Sequence, residues 1–313
     1  MKRSLAITAV AMAVTAQPAA ARDPLVLRPT EPWTMNYGED SCQLVRIFGE
    51  GEDETALMLE QFGPSEYVRM TLIGEHAGMG GMGYPAYPID RAASNGNQVP
   101  RLRVRFGRKG TFFTPEFKSA ELDDGRFVTM LSAMRLALAE RSDTGEDETA
   151  PYRMPELSVE TFAALDRIEF DPAEGRNLIF GTGPMGGAAK AMNACMADLV
   201  THWGLDLETQ RTLRHGPVPR SPVSGWLTPR DYPEQAVLHA LEGQVAFRLI
   251  VDEQGKPSAC HVQFATGPDD SFSEAVCERI TQEADFEPAI DAEGRPVPSF
   301  FTRLVNFRLR TRR

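Results

Sequence analysis

The run Gln244-Val245-Ala246-Phe247-Arg248-Leu249-Ile250-Val251 decides how the C-terminal third of this chain is read. Val245, Phe247, Leu249 and Val251 alternate with Gln244, Ala246 and Arg248, the pattern of a strand with one buried face. Asp252-Glu253-Gln254-Gly255 follows and is short enough for a tight turn into a second alternating run, Ala259 to Phe264, which ends at Gly267. Before the first strand, Tyr232-Pro233 and Glu234 to Leu241 predict a short helix with proline at its start. After the second, Phe272, Val276 and Ile280 recur at helical spacing over Phe272 to Glu283. Phe286-Glu287-Pro288-Ala289 and Gly294-Arg295-Pro296 then lead to a last strand, Phe300 to Leu309, in which Phe301, Val305, Phe307 and Leu309 alternate and Arg303 interrupts the apolar face. These elements predict about three antiparallel strands with helices on one side.

Working outward, His215 to Pro233 carries Pro217, Pro219, Pro222, Pro229 and Pro233. Such a density favours an extended, poorly packed connector, and residues 214–231 are assigned to it. Upstream, residues 22–213 predict a strand-rich domain. Cys42 to Phe48, Thr55 to Phe62 and Tyr67 to Ile73 suit strands, with Gly63-Pro64-Ser65 as a turn. Leu102 to Phe106 with Thr111 to Phe113, and Arg167 to Phe170 with Asn177 to Phe180, form two hairpin candidates. Phe127 to Ala139 is apolar at helical spacing. Gly187 to Trp203 predicts a helix with Met192, Cys195, Met196, Leu199, Val200 and Trp203 on one face.

At the front, Lys2-Arg3, the apolar stretch Leu5 to Val14 and Ala19-Ala20-Ala21 have the layout of a secretory signal peptide, cleaved between Ala21 and Arg22. The apolar core is about half of the roughly 20 residues that a spanning helix needs. An uncleaved N-terminus would instead be a membrane anchor. Losing Lys2 and Arg3, with no acid lost, takes the formal charge from −11 to −13. That balance argues against a nucleic-acid partner. The basic tail Arg308, Arg310, Arg312 and Arg313 is explained as a solvated strand end.

Four cysteines in an exported chain allow disulfides, and their spacings contain no C-x-x-C. Position and periodicity pair Cys42 with Cys195 and Cys260 with Cys277, one bridge in each domain. Cys260 shares a strand face with Val262 and Phe264, and Cys277 lies near the apolar stripe of the following helix. Buried free thiols are the alternative.

Residues of catalytic type do not converge. Gly78, Gly80 and Gly83 are followed by a proline-rich loop, not by the helix a pyrophosphate needs. Gly181, Gly183 and Gly186 do lie between a strand and a helix, but no second strand ends in an acid for a ribose, so a tight packing turn is the better account. His76, His202, His215, His239 and His261 form no i, i+4 pair. Ser221, Ser224 and Ser271 sit in turn-like settings, and Asp123-Asp124 and Asp269-Asp270 suit a loop and a helix cap. The expectation is a protein without catalytic residues, cofactor or metal.

The order Tyr232-Pro233, Glu242-Gly243, Gly255, Gly267, Glu287-Pro288-Ala289 and Gly294-Arg295-Pro296 resembles the C-terminal domain of the TonB energy transducers, over about residues 229–310. The resemblance implies an α+β fold for residues 232–313 and a periplasmic protein that binds envelope proteins. In such domains, it further implies, a sheet edge takes up an extended peptide of an outer-membrane transporter by β-augmentation. The last strand, with Phe301, Arg303, Val305, Phe307 and Leu309, is the edge so assigned. Three departures separate this chain from a transducer. The anchor looks cleavable, Ala265-Thr266-Gly267 stands where Ser-Ser-Gly is usual, and the linker reaches at most about 60 Å at about 3.1 Å per residue. Energy transduction through an uncleaved anchor, an envelope enzyme using residues 22–213, and a cell-wall binder are the alternatives.

Overall fold

A computed structural model describes residues 23–79, 102–136, 153–172, 176–267 and 269–309. The cleavage site Ala21–Arg22, Gly80 and Gly83, and Arg310, Arg312 and Arg313 lie outside them. Among the described residues, no helix is long and apolar enough to cross a membrane.

Among its described residues the N-terminal half has ten strands: β1 Leu25–Leu27, β2 Thr34–Tyr37, β3 Cys42–Phe48, β4 Thr55–Gln61, β5 Tyr67–Gly74, β6 Leu102–Phe106, β7 Phe117–Glu121, β8 Phe127–Arg135, β9 Ile168–Pro172 and β10 Leu178–Phe180. Three helices accompany them, α1 Val159–Ala163, α2 Gly186–His202 and α3 Leu207–Arg211. An antiparallel sheet runs β2-β3-β4-β5-β8-β7, and a second runs β1-β10-β9-β6, with β1 parallel to β10. Leu44, Phe48, Leu57, Leu59, Val68, Met70 and Leu72 project from one face of the first sheet. They meet Leu27, Val104, Phe106, Ile168, Phe170 and Phe180 of the second, and Met192, Cys195 and Met196 of α2, in one core. Phe180 anchors it, its ring 5.1 Å from that of Phe48 and 5.4 Å from that of Phe170.

Residues 127–136 correct the helix expected over 127–139, of which 137–139 lie outside the described residues. Phe127 to Arg135 are strand β8, in which Thr129 and Leu131 are buried at period two. A register shift opposite Val68 and Met70 then inserts an extra residue, so that Met134 returns to the same buried face. A β-bulge thus leaves Leu131 and Met134 three apart, and in the sequence this imitates a helix. Thr111 to Phe113 does not make a full hairpin either. β6 pairs with β9, and Phe113 keeps only a two-way bridge to Val104.

Residues 214–231 correct the expectation of a poorly packed connector. Arg214 N–H donates to Ile290 O (2.7 Å), Ile290 N–H to His215 O (3.1 Å) and Arg220 N–H to Asp285 O (2.8 Å). β11 (Val218–Pro219) pairs with a later strand, and Trp226, 2% exposed, is sealed inside the C-terminal core. Prolines suit a strap of this kind, because at an edge their missing N–H costs nothing.

The C-terminal elements are α4 Glu234–Leu238, β12 Gly243–Val251, β13 Pro257–Thr266, α5 Ser271–Glu283, β14 Phe286–Glu287, β15 Ala289–Ile290, β16 Pro296–Val297 and β17 Ser299–Phe307. The sheet order is β13-β12-β17, antiparallel throughout; β14 receives β11, and β15 pairs with β16. Phe272, Val276 and Ile280 of α5 pack on Val245, Phe247, Leu249 and Val251, with Trp226, Phe286, Phe301 and Phe307 in the same core. Glycine is required at two of the punctuation points. A Cβ at Gly243 would meet Thr266 O at 2.3 Å, and one at Gly255, whose φ is +80°, would meet Phe286 O at 2.0 Å.

Both disulfides form, Cys42–Cys195 from β3 to α2 and Cys260–Cys277 from β13 to α5. They close loops of 153 and 17 residues respectively. By chain entropy these correspond to about 5 and about 3 kcal/mol, as upper figures. Replacing both cysteines of a pair by alanine is therefore expected to cost more at Cys42–Cys195 than at Cys260–Cys277. Urea unfolding followed by tryptophan fluorescence checks the order, and the reverse order would show that loop length does not set it.

Candidate functional site: an open sheet edge beside a closed sheet face

Backbone direction in β12 follows from two contacts with β13. Gln244 N–H donates to Thr266 Oγ1 (2.9 Å), and Ile250 O accepts from Ser258 Oγ (3.2 Å). Even-numbered residues of β12 thus point at β13, and odd-numbered ones point at β17. The register pairs Gly243 with Phe307, Val245 with Val305, Phe247 with Arg303, Leu249 with Phe301 and Val251 with Ser299. Alternation then turns the backbone N–H and C=O of Phe300, Thr302, Leu304 and Asn306 away from the sheet. Among the described residues their only recorded partner is Arg303 Nη1, 3.4 Å from Thr302 O.

The residues singled out from sequence therefore sit on an outer strand of the sheet with their backbone groups turned inward. Phe301, Arg303, Val305 and Phe307 spend their backbone groups on β12, and Phe301 and Phe307 are buried against α5 and Trp226. Leu309 lies past the strand, its N–H bonded to Glu242 Oε1 at 2.8 Å. The four residues between and before them carry the free edge. Their signal was present in the sequence as parity, but only the register decides which parity faces out.

The opposite face of the sheet is covered by the N-terminal half, a correction to the single buried face expected of β12. Arg248 is 3% exposed. Its Nη1 lies 2.7 Å from Asp40 Oδ1, and its guanidinium carbon sits 4.1 Å from the Trp203 ring centroid. Burial pushes the Arg248 guanidinium below its ordinary range, and Asp40 pulls it back up. Ile250 and Phe300 join Met154, Val200, Trp203 and Leu205 in a small apolar cluster. Gln210 closes one end, donating from Nε2 to Pro298 O (2.9 Å) and accepting from Ser299 Oγ (2.6 Å).

A bulge completes this face. Ala246 pairs with Phe264 but Phe247 with Val262, so Gln263 is the extra residue. Two consecutive side chains then point the same way. Gln263 Nε2 donates to Asp40 O and to Phe62 O, and Phe264 stacks 5.9 Å from Phe62 with the Arg69 guanidinium 3.7 Å from its ring centroid. Phe264 therefore faces the N-terminal half, not the side of Cys260 as plain alternation suggests.

A crevice of about 160 Å³ lies at this junction, lined by Glu39, Asp40, His202, Trp203, Arg248 and His261. Burial, and then the charge of Arg248, hold the His261 imidazole below its ordinary value, against the opposing pull of Asp40 and Glu39. Elsewhere in the C-terminal core, burial and Glu242 push the Tyr232 phenol up to about 12. It stays protonated and donates to Leu241 O at 2.6 Å. Its ring stands edge-on to those of Phe272 and Phe307, which accounts for tyrosine at this position. No group of histidine, cysteine and acidic side chains among the described residues is arranged to hold a metal ion.

A strap, a three-stranded antiparallel sheet, one long helix and an outer strand without a second neighbour among the described residues define a small α+β domain. Residues 228–309, about a quarter of the chain, match the family described as Gram-negative bacterial TonB protein C-terminal, so this part of the chain is similar to a TonB C-terminal domain. No curated protein matches the chain.

Two outcomes follow from the closed face. Arg248→Ala leaves Asp40 without its cation and Trp203 without its stacking partner. The expected loss is about 2–4 kcal/mol in urea unfolding; a change within error would mean that the contact is incidental. Because His261 is depressed in the folded chain, its contribution is present above the ordinary value of 6.5 and is lost as pH falls below it. The unfolding midpoint of the native chain should therefore fall more between pH 7.5 and pH 5 than that of His261→Asn, and parallel curves would remove His261 from the account.

Proposed function

We propose that the chain is a non-catalytic periplasmic protein that captures an extended segment of another envelope protein on the outer edge of β17. The observation carrying this reading is the row of outward backbone groups at Phe300, Thr302, Leu304 and Asn306, which have the spacing another strand needs. The TonB-like match supports it, since domains of that family bind envelope proteins. An outer-membrane transporter peptide is the partner the family suggests. Backbone pairing supplies affinity with little demand on side chains. The N-terminal half, packed on the sheet's other face, positions the edge and rigidifies it.

Proline separates the two parities. Leu304→Pro removes an outward N–H and no bond to β12, so the protein should keep its thermal transition while losing capture by at least about tenfold, as expected for one or two lost backbone bonds. Val305→Pro removes an inward N–H and should unfold the C-terminal domain. Crosslinking in the envelope, with mass spectrometry of the captured species, reads both. Undiminished capture by a folded Leu304→Pro variant would overturn the edge assignment.

A further inference from the structure

Just past β17 the chain comes close to the start of β7, the edge strand of the six-stranded sheet, and two cations lie there among two acids. Arg308, 65% exposed, lies 3.7 Å from Glu116 at the start of β7. Lys118, two residues on, shares that side of β7. Its ammonium is held below its ordinary range by burial and by the positive charge of Arg308, with Glu242 in partial opposition. Glu242 is meanwhile engaged by Leu309 N–H. Halfway along the strand, exposed Arg303 has its Nη1 on Thr302 O of its own chain at 3.4 Å, and no carboxylate pairs with it among the described residues. Leu304, beside it, is a large apolar side chain left 48% exposed.

Arg303 and, set beside Glu116 and Glu242, Arg308 and Lys118 thus flank the free edge from both halves of the molecule, in a chain whose formal charge is −11. A carboxylate of a bound strand near Arg303 would meet a cation that no acid of the described residues pairs, and charge complementarity of this kind selects partners and register more than it adds raw affinity. We infer that the segment captured on β17 is an acidic extended peptide, whose carboxylates are held by Arg303, Arg308 and, from the N-terminal half, Lys118. The inference rests on the edge reading of β17. It makes the N-terminal half part of the binding seat and not only its support.

The test is selection of displayed random peptides on the full, disulfide-bonded chain. Enriched peptides should be net acidic. Their binding should weaken about tenfold in a Lys118→Glu/Arg308→Glu variant, the size expected for two exposed ion pairs reversed. The reversal also sets carboxylates beside Glu116 and Glu242, so the thermal transition is recorded with the binding, and Lys118→Gln/Arg308→Gln, which creates no like-charge contact, should weaken binding in the same direction by less. Enrichment of neutral or basic peptides, or acidic peptides indifferent to the reversal, overturns the acidic seat while Leu304→Pro still abolishes binding. No enrichment, or enrichment that survives Leu304→Pro, overturns the edge reading and the seat with it.

Discussion

Arg248 is held between the carboxylate of Asp40 and the face of Trp203, at 2.7 Å and 4.1 Å, and the relation between the two halves of the molecule depends on that placement. A guanidinium on a central strand, with its sheet packed by a helix on the other side, cannot stay in water once the N-terminal half is docked. It must find a carboxylate and a π-face or the docking is lost. Gln263, Phe264 and Phe300 extend the contact to either side. With both faces of the sheet occupied, its exposed chemistry is reduced to strand edges.

That reduction shapes the function. A binding domain that offered a free apolar face would compete with its own edge for partners. Here the face is used up internally, and β17 keeps its outward groups at Phe300, Thr302, Leu304 and Asn306. The strap from Arg214 to Trp226 contributes in the same way. By bonding to Ile290 and Asp285 and by burying Trp226, it ties the N-terminal half to the domain over a short path, so the two do not move as beads on a flexible string.

Much of this was legible in the residues. Alternation placed β3, β5, β6, β12 and β17 within a residue or so, helical spacing placed α2 and α5, and position with periodicity paired all four cysteines. What escaped shares a physical cause. Bulges shift side-chain parity without leaving a mark in composition, which is why β8 imitated a helix and Phe264 seemed to face the core. Arg248 looked like a solvated face because a sequence does not show what packs against it. Proline density in residues 214–231 suggests an extended, poorly packed connector, although Trp226 in the same stretch is the kind of residue that a packed strap buries. The side chains that carried the edge assignment in β17 belong to the inward parity for a related reason: apolar alternation reports the core-facing side chains, whose backbone groups are the ones already bonded.

Residue-resolved amide hydrogen exchange along β17 in the full, disulfide-bonded chain tests the central claim most directly. The account predicts fast exchange at Phe300, Thr302, Leu304 and Asn306, interleaved with strong protection at Phe301, Arg303, Val305 and Phe307. Equal protection of both sets would mean that the edge is already occupied, and protection of the even-numbered set alone would mean that the register is wrong.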